Sequence, residues 1–282
     1  MKKAVKWITG IAILSVAVLL VALKLIDESN KVDFADEYIG IRIMADGLYY
    51  KSKEENLEGL EYKDFRKDDL KYVTRLKITN TIRTETLVDL EKCPNLESLV
   101  IADHYGKLVL WYGEDWAVWE YVSACGKLPS VPGAEKIKQF EAELEGVLQE
   151  CKQLKELCIY NWGDTFNLDS VQFLIYGENL TRLSLDYLGD IDYSPVLECT
   201  NLEVLYLSNS AISDMGQISR LENLRILWLD STDIKEAGDI VNLKNLETLY
   251  IMGTPLAENE EELQILREAL PGLEIITEKP WY

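Results

Sequence analysis

Residue types that do chemistry are thinly spread along this chain. It has one histidine, His104, with no recognisable acid, nucleophile or second ligand beside it. A lone imidazole makes a poor catalyst and a poor metal site. No Gly-x-Ser-x-Gly, His-Glu-x-x-His, phosphate-loop or dinucleotide-type glycine cluster occurs. The acidic run Glu258 to Glu262, ENEEE, lacks the alternating ligands and glycine of a calcium loop; it reads as the first turn of a helix ending near Leu270. Neither a cofactor nor an enzymatic activity is expected. What remains is the chemistry of recognition. In NLRILWLDST, Asn223 to Thr232, Leu227 and Leu229 alternate as a buried strand would, which turns Trp228 to the opposite face. Tyr206 and Tyr250 stand 22 residues before and after it.

That interval is a period. NLTRLSLDYL at Asn179, NLEVLYLSNS at Asn201, NLRILWLDST at Asn223 and NLETLYIMGT at Asn245 recur every 22 residues in the form N-L-x-x-L-x-L, with Ile251 replacing the last leucine. Weaker copies begin at Tyr72, Asn95 and Gln153, and a partial one, GLEII, at Gly272. A fixed period of this size means stacked units, each too small to bury its own apolar face.

These four units resemble the leucine-rich repeat family, and within it the short bacterial, internalin-like repeat. The link SAISDMGQISRLENL, Ser210 to Leu224, is similar to that family's connection between strands, with Ile212, Met215, Ile218 and Leu221 at its apolar positions and Asp214 at its polar one. The resemblance covers roughly residues 66–104 and 151–276. It implies an α/β fold, a right-handed solenoid with a parallel sheet on its concave side. One position departs from the family pattern: Leu188, Ser210, Thr232 and Thr254 stand where asparagine usually bonds neighbouring turns, so a weaker ladder is expected there. Cys93, Cys151 and Cys199 each lie three residues before a unit's first leucine, in a slot that Leu70, Leu221, Leu243 and Leu270 fill elsewhere. A slot open to either residue is apolar, so these are expected to be buried structural thiols. Five cysteines without framework spacing fit that reading.

In such a repeat the leucines of x-L-x-L face the core, and the residues between them face the concave surface. Parallel strands lie about 4.8 Å apart, so equivalent positions form columns. One column reads Lys77, Val100, Cys158, Ser184, Tyr206, Trp228, Tyr250. Beside it run Asp186, Ser208, Asp230 and Met252 on one flank, and Arg182, Val204, Ile226 and Thr248 on the other. An aromatic–aliphatic strip edged by carboxylates has the profile of a recognition surface. Tyr206, Trp228, Tyr250, Asp186, Asp230, Arg182 and Ile226 are the expected partner-binding residues, and the partner a protein or a glycan. On this reading Trp228→Ala abolishes binding with stability nearly unchanged.

Three regions flank or interrupt the repeats. Trp7 to Leu23 carries no charge, follows Lys2, Lys3 and Lys6, and precedes Asp27 and Glu28. It is expected to be one transmembrane helix, an uncleaved signal anchor within residues 1–26, with the N-terminus inside and the body extracytoplasmic. Residues 27–69 alternate like a strand pair turning at Asp46-Gly47 and are expected to cap the solenoid. Residues 70–282 then form the solenoid, interrupted at about 105–150. That insertion carries Trp111, Trp116 and Trp119, expected as anchors, and a helical pattern through Ile137, Phe140, Leu144, Val147 and Leu148. Trp281 and Tyr282 are expected to close the far end.

The chain carries 29 Lys+Arg against 49 Asp+Glu, a net charge of −20; from residue 25 onward the count is 25 against 49, or −24. Such a body repels nucleic acid and favours a basic partner. The expected function is a membrane-anchored, exported recognition module at the cell membrane. The alternative is a structural spacer of the cell envelope without a strong single ligand.

Overall fold

The computed structural model describes residues 30–78, 84–103, 134–161, 168–212 and 216–278. Eight strands form one parallel sheet in chain order: β1 (Arg75–Ile78), β2 (Ser98–Asp103), β3 (Glu156–Asn161), β4 (Arg182–Asp186), β5 (Val204–Tyr206), β6 (Ile226–Trp228), β7 (Thr248–Tyr250) and β8 (Glu274–Ile276). The register is continuous: Leu76, Leu99, Leu157, Leu183, Leu205, Leu227, Leu249 and Ile275 lie side by side across all eight. The second leucine of the units from Leu185 to Leu229 is fully buried. Burying a leucine contributes roughly 1.5–3 kcal/mol, so the repeated pair fixes the register of every turn.

The chain leaves β4, β5, β6 and β7 through a left-handed residue. Tyr187, Asn209, Ser231 and Gly253 occupy the same phase with φ of 65°, 56°, 56° and 68°. The chain then returns through short 3-10 turns, among them Val88–Lys92, Gln172–Tyr176, Ser194–Glu198, Ile218–Arg220 and Gly238–Asn242. Four of the asparagines that open units join neighbouring turns. The amides of Asn95, Asn201, Asn223 and Asn245 donate to the carbonyls of Lys71, Glu178, Thr200 and Glu222 at 2.7–3.1 Å. At the position where the family pattern is broken, the Ser210 hydroxyl still reaches the preceding turn, donating to the Leu185 carbonyl at 2.9 Å. Thr232 and Thr254 bond back within their own turns, to Leu229 and Ile251.

The N-terminal cap departs from the expected strand pair: Glu37–Glu55 is a helix, α1. Ile39, Ile43, Gly47 and Leu48 form its buried stripe, at helical rather than alternating spacing. Gly47 is no turn residue. A Cβ there would stand 2.6 Å from the Phe65 ring, and one at Gly40 would stand 2.7 Å from Phe34, so both glycines permit close packing. The Asp36 carboxylate caps α1 by accepting from the Ile39 amide at 2.7 Å, and Asn56 ends the helix in the left-handed region.

Two buried carboxylates lock this cap to the first turn. Asp36 also accepts the amides of Glu85 and Thr86. Asp89 in turn accepts the amides of Ala35 (3.0 Å) and Asp36 (2.8 Å) and the Lys92 ammonium. Burying a carboxylate is tolerable only with such a set of donors.

The described part of the insertion is α2 (Ala134–Glu150). It buries Ile137, Phe140, Leu144, Val147 and Leu148, the five residues of the expected stripe. It packs on the convex side between the 3-10 turns of the preceding and following units. Glu143 accepts from the Thr86 hydroxyl (2.6 Å) and the Leu87 amide (2.7 Å), and Glu141 accepts from the amides of Asp169 (2.7 Å) and Ser170 (2.8 Å). The same device recurs downstream: Asp239 takes the Ser219 amide, and Glu262 takes the Ala237 amide. Acidic side chains thus staple the exposed N–H groups of successive convex turns. ENEEE opens α3 (Glu260–Ala269), with Asn259 as its cap.

Cys93, Cys151 and Cys199 fill the expected slot and are buried free thiols, as is Cys158 on the concave side. No helix among the described residues is long and apolar enough to cross a membrane. The expected span at residues 7–23, His104, the three insertion tryptophans, Asp214, Met215, Trp281 and Tyr282 lie outside the described residues.

Candidate recognition surface

The strands β5, β6 and β7 place Tyr206, Trp228 and Tyr250 in direct register on the concave face. All three are half-buried. The rings do more than stand in line. Trp228 and Tyr250 stack with centroids 3.6 Å apart and planes 4° apart, closer than the strands that carry them. Tyr206 leans on the other face of Trp228 at 5.3 Å and 30°. Stacked along the sheet, the rings cover one another's faces and turn their edges outward.

The two carboxylates of the strip play a different part from the one expected. Asp186 and Asp230 are 6% and 9% exposed, so they do not form an acidic edge open to a partner. Asp186 accepts the Ser184 hydroxyl at 2.5 Å and the Ser208 amide at 2.8 Å. Asp230 accepts the Met252 amide at 2.7 Å and the Trp228 indole N–H. Each carboxylate therefore ties its strand end to the backbone of the next unit, and Asp230 also fixes the Trp228 ring. Burial pushes the Asp186 carboxyl up to about 6, against the pull of the bonds from Ser184 and Ser208. Burial also raises the phenols of Tyr206 and Tyr250.

Arg182 lies one strand away, with its guanidinium 3.7 Å from Glu156. Ile226 and Thr248 are half-buried on one flank of the rings, Ser208 and Met252 on the other. The column closes beyond Tyr206, where Ser184 and Cys158 are fully buried. Of the seven expected residues, five line the open face (Tyr206, Trp228, Tyr250, Ile226 and Arg182) and two serve the scaffold. Ser208 and Met252, which their phase in the repeat had already set on this flank, join the surface. The burial of the aspartates had no such signal, because their partners are backbone N–H groups of the next turn.

A solenoid whose turns pair in unbroken register on a concave parallel sheet, with 3-10 turns outside, decides the fold. This is an internalin-like leucine-rich repeat fold. Internalin C2 from Listeria monocytogenes is similar over 86% of this chain and 93% of its own, at 17% identity and a TM-score of 0.51. A leucine-rich repeat protein from Leptospira interrogans matches 67% of this chain and 38% of its own, at 21% identity and a TM-score of 0.41. A second Listeria internalin matches 86% and 91% at 14% identity, with a TM-score of 0.31. The sequence matches no protein-family model and no curated protein. The concave sheet is built from equivalent positions of successive units. Here three of those positions in a row are aromatic.

Proposed function

We propose that this protein is a recognition module that binds a protein partner through the ridge of Tyr206, Trp228 and Tyr250. Residues 7–23 would tether it to the membrane with the solenoid outside the cytoplasm. The observation that carries the reading is the half-buried three-ring stack on the concave face, flanked by Ile226, Met252 and Ser208. Rigid aromatic side chains with an apolar flank are what protein interfaces concentrate. The stacking favours a protein over a glycan, since a sugar ring packs on open aromatic faces and these are turned toward one another. The net charge of −20 favours a basic partner and a fast, salt-sensitive encounter.

One observation favours the spacer reading. The rings and the two aspartates also bind adjacent turns together, which a purely structural column would do. Ile226→Glu separates the two, because it adds a charge beside the ridge without touching the Trp228–Asp230 bond. With purified protein as bait in envelope extract, the recognition reading expects a retained partner that is lost with Ile226→Glu at an unchanged urea midpoint. A midpoint that falls while capture persists would favour the spacer.

A further inference from the structure

The N-terminal cap carries an apolar face that neither the core nor the concave ridge uses. Ile41, Ala45, Tyr49 and Ser52 follow one another at helical spacing along α1, on the side away from the buried stripe. The chain after α1 returns beside them, so that Tyr49, Leu57, Leu60 and Tyr62 line an open groove of about 720 Å³. A second hollow of about 500 Å³, with Lys31 and Met44 on its wall, shares Tyr62 and Lys63 with the first. Ile41, Tyr49, Leu57 and Tyr62 are four of the eight exposed large apolar side chains among the described residues, gathered on one end of the molecule. Tyr49 and Tyr62 are each more than half exposed, at 56% and 54%.

We infer that this face lies on the bilayer surface, with the tyrosines and Leu57 in the headgroup–acyl boundary and the lysines reaching back to the headgroups. The inference rests on the membrane tether of the proposed function. Chain length supplies the argument for lipid as the occupant. Seven residues separate Leu23, the end of the uncharged run, from Lys31 on the wall of the second hollow. At ~3.5 Å per residue their Cα atoms can be no more than about 28 Å apart. A tethered chain therefore keeps the cap within that reach of the bilayer. The composition suits that place: tyrosine sits at the membrane interface with its ring in the acyl boundary and its hydroxyl in water, and lysine stretches an apolar stem toward phosphate. Glu61 pairs with Lys63 at 2.7 Å, so the groove is not a cationic cluster. Contact should therefore be apolar and insensitive to lipid charge. It would orient the solenoid relative to the membrane.

The test uses the full chain with vesicles of phosphatidylcholine, alone or mixed with phosphatidylglycerol, carrying a trace of a headgroup-diazirine lipid. Flotation reports the tether, and photolysis with peptide mapping reports the contact. The expected result is flotation in both mixtures with lipid adducts on residues 41–66, severalfold above those on α3. The doubly substituted Tyr49→Ser/Tyr62→Ser chain, altered only at exposed positions, should still float but lose those adducts. Flotation with adducts no higher on the cap than on α3 overturns the inference and leaves the tether standing. Adducts on the cap of a chain that no longer floats after alkaline extraction overturn the tether and keep the lipid contact. Absence of both overturns both.

Discussion

Trp228 is held by three neighbours at once, Tyr206, Tyr250 and Asp230, and that changes what its substitution reports. Removing it loses the stack on Tyr250, about 0.5–1.5 kcal/mol, and strips a donor from the buried Asp230, about 1–3 kcal/mol more. Trp228→Ala is therefore expected to lower stability by about 2–3 kcal/mol in urea denaturation, contrary to the neutral effect that its strand position alone suggests. Trp228→Phe keeps a ring in the stack and should cost less than the alanine. Asp186 gives a pH signature. Its folded-state pKa is raised to about 6, so the folded chain binds a proton there before the unfolded chain does. Stability from this group then rises as pH falls from above 6 toward the ordinary carboxylate range. Relative to wild type, Asp186→Asn should be more favourable at pH 8 than at pH 4.5, measured as the difference in urea midpoints. Asp239 works in the opposite sense: the Ser219 hydroxyl lowers its pKa, so its contribution is present at neutral pH and lost in acid.

Among the elements, the turn leaving each strand and the staples across the convex face can be tested separately. Gly253 sits in the left-handed region with room for a Cβ, so Gly253→Ala isolates backbone strain and should destabilise by about 1 kcal/mol. Glu143→Ala removes the acceptor for Thr86 and Leu87 at once; about 2 kcal/mol should be lost, with faster amide exchange across residues 134–150. The elements that could be read in the sequence were those with an unambiguous period. The 22-residue interval set the strands, their register and the aromatic column, and the five-residue apolar stripe set α2. The cap was misread because Ile39, Ile41 and Ile43 alternate as a strand would, while Asp46-Gly47 looks like a turn. Only tertiary packing against Phe34 and Phe65 explains why glycines stand inside that helix. The aspartates were misassigned for a related reason: a carboxylate on a strand end reads as exposed until the backbone of the next turn is in place to bind it.

For the molecule as a whole, each unit contacts mainly its neighbours, so stability is expected to accumulate turn by turn and to depend on sealed ends. The Asp36–Asp89 clasp seals one end. Asp89→Ala, which takes the acceptor away from the Ala35 and Asp36 amides and the Lys92 ammonium, should expose the cap to limited proteolysis before the rest of the solenoid opens. The acidic composition is partly structural, since carboxylates staple one convex turn to the next, and partly a surface charge that would steer a basic partner. The central claim is that the concave ridge, and no other face of the solenoid, meets a protein. The most direct measurement is photo-crosslinking in cells, with a benzophenone amino acid placed at Ser208 or Met252 beside the rings and at Glu222 or Asn242 away from the concave column. The account predicts one discrete protein adduct at both concave positions, absent at the two controls and lost with Ile226→Glu. Equal labelling at all four positions, or none at Ser208 and Met252, would contradict it.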